Sequence, residues 1–272
     1  MMKNLVSTDW LENNLNKVRI IDATWHMPNL NREPYKEYLE THISNSVFFD
    51  LDKNSNEKSS LPHMLPDKQK WKGIVSDFGI KNSDNLVIYD NSDTFSSCRC
   101  WYSFIYFGHD PNKVSILNGG LKKWIREKKP LTNKIIKFTK SEYAVKENKF
   151  LIKNKEQIKQ NISQKHFELI DARSEERFKG LVPEPRKGLK SGHIQNSKNI
   201  PFSKCINIGD NTFKNKDELS EIFNKQDIDY AKDIVFTCGS GVTACVLGLA
   251  NSIISGKTPI IYDGSWSEWG KE

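Results

Sequence analysis

A cysteine stands directly after a β-branched run and directly before Gly239-Ser240-Gly241, in the stretch DIVFTCGSGVTACVLGLA at 233–250. The spacing predicts a strand over IVFT, a turn at CGSGV, and a helix over TACVLGLANSII with apolar positions Val246, Leu249, Ala250 and Ile253. Glycines at 239 and 241 let successive N–H groups converge on one point, which a cysteine kept only for packing does not need. At a helix N-terminus such a loop surrounds the sulfur with partial positive charge and favours its thiolate. The chemistry expected at Cys238 is therefore nucleophilic attack through a covalent intermediate. Cys98, Cys100, Cys205 and Cys245 have no such setting and are expected to pack. As neighbours one residue apart, Cys98 and Cys100 would make a strained disulfide.

The elements that must hold this loop occur twice. RIIDATW at 19–25 matches FELIDARS at 167–174, and THISNSVFFD at 41–50 matches GHIQNSKNIPF at 192–202, pairing His42 with His193. NLVIYDNSD at 85–93 matches DIVFTCGSG at 233–241, and ILNGGLKKW at 116–124 matches IYDGSWSEW at 261–269. Four blocks in one order at nearly constant separation describe a tandem repeat. The expected division is a first domain at 1–130, a lysine-rich connector at 131–160 and a second domain at 161–272. In each half, short β-branched runs alternate with amphipathic segments such as WLENNLNKV and ELSEIFNKQ. That alternation predicts an α/β fold, each domain a parallel sheet flanked by helices, with ligands at the C-terminal ends of the strands. Cys238 falls at such an end. Its counterpart in the first half is Asp90, and the glycine pair becomes Asn91 and Asp93, so only the second loop is expected to work.

Other residues could serve that loop. His63 lies between prolines in LPHMLP (61–66), where a histidine taken alone reads as structural. RFKGLVPEPRKG (177–188) carries Arg177 and Arg186 around a proline-stiffened turn, and arginine can pair bidentately with a carboxylate. Arg173 reads as structural, and Lys179 and Lys187 receive no role. DGSWSEW (263–269) reads as a turn at a strand end followed by two packed tryptophans.

At these residues the chain resembles the two-domain rhodaneses, a superfamily of sulfurtransferases, and CGSGVTA is similar to the loop of its 3-mercaptopyruvate branch. The thiosulfate branch usually has basic residues inside the loop, whereas Gly239 to Thr243 carries no charge. The resemblance implies that Cys238 accepts sulfur as a persulfide and that residues 239–243 (Gly239, Gly241, Val242 and Thr243 among them) cradle it with main-chain amides. It further implies a relay in which Asp52 orients His63 and His63 approaches Ser240, with Arg177 and Arg186 clamping the donor's carboxylate. The implied reaction moves sulfur from 3-mercaptopyruvate to a thiol, to reduced thioredoxin or to cyanide, releasing pyruvate, with no metal or organic cofactor. Thiosulfate is the rival donor, and a non-catalytic binding module on the same scaffold is the rival of another class. A cysteine phosphatase would want an arginine closing the loop, and none occurs between Cys238 and Lys257.

Composition narrows the remainder. Lys+Arg 41 against Asp+Glu 34 gives +7, but the excess lies in scattered runs, so no nucleic-acid partner is expected. The first residues lack the apolar core of a signal peptide, and no apolar run is long enough to span a membrane. Five cysteines without framework spacing favour a reducing compartment, and a cytoplasmic location is expected.

Overall fold

The runs rich in Ile, Val and Phe do become strands, and they form two parallel sheets of one topology. The computed structural model describes residues 4–271. In the first unit the strands are β1 (Leu5–Val6), β2 (Arg19–Asp22), β3 (Ser46–Phe48), β4 (Leu86–Tyr89) and β5 (Val114–Leu117), ordered β1-β5-β4-β2-β3. In the second they are β6 (Ile152–Lys153), β7 (Phe167–Asp171), β8 (Lys198–Asn199), β9 (Asp233–Thr237) and β10 (Ile260–Tyr262), ordered β6-β10-β9-β7-β8. Every strand pairing is parallel, and β4 and β9 are the central strands. The helices are α1 (Thr8–Glu12), α2 (Pro34–Glu40), α3 (Lys68–Asp77), α4 (Ser97–Tyr106), α5 (Gly120–Arg126), α6 (Lys155–Gln164), α7 (Glu175–Phe178), α8 (Lys216–Asn224), α9 (Ala244–Ser255) and α10 (Ser265–Trp269).

Both faces of the second sheet are covered. Val235 packs with Ile158 of α6 and Trp266 of α10, while the ring of Phe236 meets Phe223 of α8. Adjacent strand residues point to opposite faces, so these helices lie on opposite sides. The cores use matched positions: Ile20, Ile43, Val87, Leu117 and Leu121 in the first cluster, Leu169, Ile194, Val235, Tyr262 and Trp266 in the second. Among the described residues no helix is long and apolar enough to cross a membrane.

Three features depart from the sequence reading. The helix expected over WLENNLNKV stops at Glu12, because the side-chain amides of Asn13 and Asn14 donate to the carbonyls of Asp9 and Trp10. Structure also begins inside the expected connector, with β6 and a capping box in which Asn154 and Gln157 start α6. The two units are not cut at a single point. The first comprises 4–57, 65–148 and 208–212, and the second 58–64, 149–207 and 213–271. His63 is thus encoded in the first repeat and belongs to the second unit.

Candidate active site

Strand β9 pairs with β7 through Thr237, and Cys238 is the next residue. It is 2 % exposed and forms no disulfide. Gly241 adopts φ +78, a backbone that glycine takes without strain. α9 then begins at Ala244, with no side-chain hydrogen bond from its cap Thr243. By contrast α3, α6 and α8 open on the capping side chains of Asp67, Asn154 and Asn215. Among the described residues, no protein acceptor takes the amides of Gly239 to Ala244. A row of unspent donors beside a sulfur is a cradle for negative charge.

The loop is held from behind by its carbonyls. Trp266 N–H donates to the Cys238 carbonyl at 2.9 Å, and Gly239 O accepts from both the amide (2.8 Å) and the hydroxyl (2.6 Å) of Ser267. The hydroxyl of Ser265 accepts from Cys238 N–H at 3.3 Å and donates to Tyr262 O at 2.8 Å. Ser265 takes φ +49 to do so. The tryptophans pack as expected, but the main task of DGSWSEW is to fix the nucleophile's backbone. Serines on either side of a buried tryptophan were the available signal.

Side chains then gather at the loop. Ser240 Oγ lies 2.9 Å from His63 Nδ1, and both residues are buried. His63 has φ +60, a left-handed conformation seldom used outside glycine and asparagine. Arg186 Nη2 donates to Ser240 Oγ at 3.4 Å. A Cβ added at Gly239 would lie 3.1 Å from Arg177 Nη2 and 3.7 Å from Arg186 Nη1, so both guanidinium groups face the loop there. Asp52 belongs to the first unit, where its Oδ2 accepts the indole N–H of Trp25 at 2.9 Å.

One participant escaped the sequence reading. Glu184, its side chain 2 % exposed, accepts from Arg173 Nη1 (2.8 Å), Arg177 Nε (3.2 Å) and Arg177 Nη2 (2.5 Å). A carboxylate inside a proline-stiffened segment between two arginines was the clue. Arg173 itself is structural: it grips Asp171 at 2.7 Å and lies over the Trp266 ring at 4.2 Å. The other cysteines are buried, and burial raises the Cys205 thiol to about 12 and the Cys100 thiol well above its usual value. His42 and His193 each contact a carbonyl, of Tyr38 (2.6 Å) and of Phe178 (2.9 Å), and stack on those rings, a tethering role. No group of three or more metal-binding side chains occurs among the described residues.

Residues 7–127 and 154–272 each match the family model for the rhodanese-like domain. This chain belongs to the rhodanese-like family. Thiosulfate/3-mercaptopyruvate sulfurtransferase 1 of Arabidopsis thaliana, called mitochondrial, is 40% identical over 98% of this chain and 76% of its own length. The 3-mercaptopyruvate sulfurtransferase of Homo sapiens is 36% identical over 99% of this chain and 92% of its own, and the thiosulfate sulfurtransferase of Rattus norvegicus shows the same identity and coverage. Among solved structures, SseA from Escherichia coli, described with the catalytic mechanism of 3-mercaptopyruvate sulfotransferases, superposes with TM-score 0.87 at 33% identity, covering 98% of this chain and 100% of that one. The rhodanese-like repeat thus accounts for both sheets.

Proposed function

We propose that the protein is a sulfurtransferase that moves sulfur from 3-mercaptopyruvate, through a persulfide on Cys238, to a thiol, reduced thioredoxin or cyanide. The observation that carries this reading is the set of unspent amides from Gly239 to Ala244 beside a cysteine, in a loop that both arginines approach at Gly239. The Cys238 thiolate attacks the donor sulfur. An S–S bond forms and the C–S bond breaks, its electron pair staying with the carbon as pyruvate enolate. Arg177 and Arg186 hold the donor's carboxylate, and the amides of 239–243 stabilise negative charge on sulfur. Ser240 and His63, 2.9 Å apart, deliver the proton that converts enolate to pyruvate, with Asp52 assigned as the orienter of His63. The acceptor then takes the outer sulfur and restores the thiolate. Because Cys238 is nearly buried, a small donor suits the first step, and the ~2.05 Å S–S bond brings the outer sulfur toward the acceptor in the second.

Intact-mass spectrometry after addition of 3-mercaptopyruvate is the direct test. A gain of one sulfur atom mapped to Cys238 is expected, and pyruvate release by Cys238→Ser would overturn the scheme. Thiosulfate is the second donor to consider, since relatives named for it match equally well, but the uncharged loop interior favours the monoanionic donor. A clear kcat/KM preference for thiosulfate would reverse that order. Five cysteines outside any disulfide fit a reducing compartment, and we place the protein in the cytoplasm; cell fractionation checks this, recovery with mitochondria counting against it.

A further inference from the structure

We infer that Glu184 sets the charge of the donor site: it cancels the charge of Arg177 while leaving that arginine's outer nitrogen free to hydrogen-bond, so the site accepts singly charged sulfur donors and disfavours dianions. This rests on the proposed sulfur transfer for its biological meaning, though its binding arm does not.

Four buried or half-buried groups form one chain of ion pairs. Asp171 takes Arg173 through Nε and Nη2, Arg173 passes Nη1 to Glu184 Oε1, and Glu184 takes Nε and Nη2 of Arg177. Two carboxylates face two guanidinium groups, so the chain is neutral as a whole. It is also rigid, since Arg173 and Glu184 are almost wholly removed from solvent. At its open end Arg177 is 24 % exposed, and among the described residues its Nη1 donates to no protein acceptor. The nitrogen nearest Gly239 is Nη2, which also donates to Glu184; it lies 3.1 Å from the place of a Cβ and has a second N–H to offer there. Arg177 therefore offers directed N–H groups with its charge already balanced.

An anion entering beside Gly239 meets donors in a partly dehydrated setting where each unit of charge weighs heavily. A monoanion uses the loop amides and the arginine forks without excess. A dianion such as thiosulfate or sulfate brings a second negative charge close to the Glu184 carboxylate. Replacing that carboxylate with the isosteric amide leaves Arg177 uncompensated and adds one positive charge at the same spot, which rewards the dianion about twice as much as the monoanion.

The experiment is Glu184→Gln beside Glu184→Asp in the full-length chain, with two readouts. The first is protection of Cys238 against iodoacetamide by pyruvate, a monoanion, and by sulfate, a dianion, which requires no sulfur transfer. In Glu184→Gln the sulfate concentration for half-protection should fall about tenfold or more relative to that of pyruvate. Glu184→Asp, which keeps the charge, should retain the wild-type ratio. The second readout is kcat/KM for thiosulfate over that for 3-mercaptopyruvate, expected to rise by a similar factor in Glu184→Gln alone. Parallel loss of both anions, or an unchanged ratio, would show that Glu184 only props the fold and would overturn the inference. If the wild type forms no persulfide from either donor, the functional reading falls while the protection ratio still decides the role of Glu184.

Discussion

The loops after the two central strands are the same element put to opposite uses. In the second unit the amides from Gly239 to Ala244 are unspent and a sulfur stands at their head. In the first unit Asp90 stands there, and its carboxylate consumes the donors: Oδ1 accepts from Ser92 N–H at 3.0 Å and Oδ2 from Ser97 N–H at 2.7 Å. The hydroxyls of Thr24 and Ser92 take the amides of Asn91 and Thr94. The first loop has an anion of its own built in, while the second is left to find one. The outer support is shared. Leu121 N–H donates to Asp90 O as Trp266 N–H donates to Cys238 O, and Gly120 (φ +56) occupies the place of Ser265 (φ +49). The two loops thus differ in the side chain at the strand end and in the glycines that follow it, on a scaffold that supports both in the same way.

The largest effect should come from copying the inert loop into the live one. Cys238→Asp supplies the same internal carboxylate, and the loop amides should turn to it as they do around Asp90. Turnover should fall by at least about a thousandfold, as loss of a covalent nucleophile does. Thermal unfolding should stay close to wild type, because the new charge finds donors already in place. A large drop in Tm would mean that the second loop cannot close on a carboxylate, and that the halves differ by more than this residue.

The next comparison concerns the segments that each half lends to the other unit. His63, in 58–64, and Asn211, in 208–212, occupy matching places just before α3 and α8, and both have left-handed backbones, φ +60 and φ +58. Asparagine takes that conformation more readily than histidine. His63→Asn should therefore leave stability unchanged or slightly raised while kcat falls about a hundredfold through loss of the proton carrier. Equal kcat in the variant would detach His63 from the chemistry despite its contact with Ser240.

What could be read in the chain without coordinates follows from these same pairs. The repeat, the central strands and Cys238 were legible because β-branched runs and glycines are local signals. Strands β1, β6 and β8 were not, since two residues carry no periodicity and Lys198–Asn199 carries no apolar side chain at all. The left-handed backbone of His63, the double grip of Glu184 and the serines that hold Cys238 and Gly239 arise only in the folded arrangement and leave no local pattern. Sequence alone could name the residues, and for the first of them only the family resemblance supplied a reason.

A smaller effect is expected at Ser265. Ser265→Gly installs the residue found at its counterpart Gly120 and removes the cost of a left-handed backbone, about 1 kcal/mol. It also deletes the hydroxyl that receives Cys238 N–H and donates to Tyr262 O. The two terms nearly cancel, so unfolding should shift by no more than about 1 kcal/mol. The nucleophile's backbone becomes less fixed, and kcat/KM should drop about tenfold with the donor preference retained. A loss of stability alone, with kcat/KM intact, would reduce the serine to a structural filler.

The smallest expected effect lies farthest from the chemistry, at the aspartate that ends the first half's β2. Its counterpart Asp171 is gripped by Arg173, whereas the partners of Asp22 are neutral: the amide (2.9 Å) and hydroxyl (2.5 Å) of Thr24 and the hydroxyl of Tyr89. Burial therefore wins, and its pKa is pushed from 3.8 up to about 6. The folded chain holds this proton more tightly than the unfolded one, so Asp22 favours the fold most below pH 4. That contribution is lost as pH rises from about 4 to about 6 and stays lost above it, a span worth at most about 3 kcal/mol. Asp22→Asn keeps an oxygen for Thr24 and carries no charge. Denaturant midpoints measured from pH 4 to 8 should lose that part of the slope, with a gain of about 1–2 kcal/mol at pH 8. The same substitution at Asp171 should act with the opposite sign, because it leaves Arg173 buried beside a neutral partner. Should both substitutions destabilise alike at pH 8, the arginine would not be what separates the two strand ends.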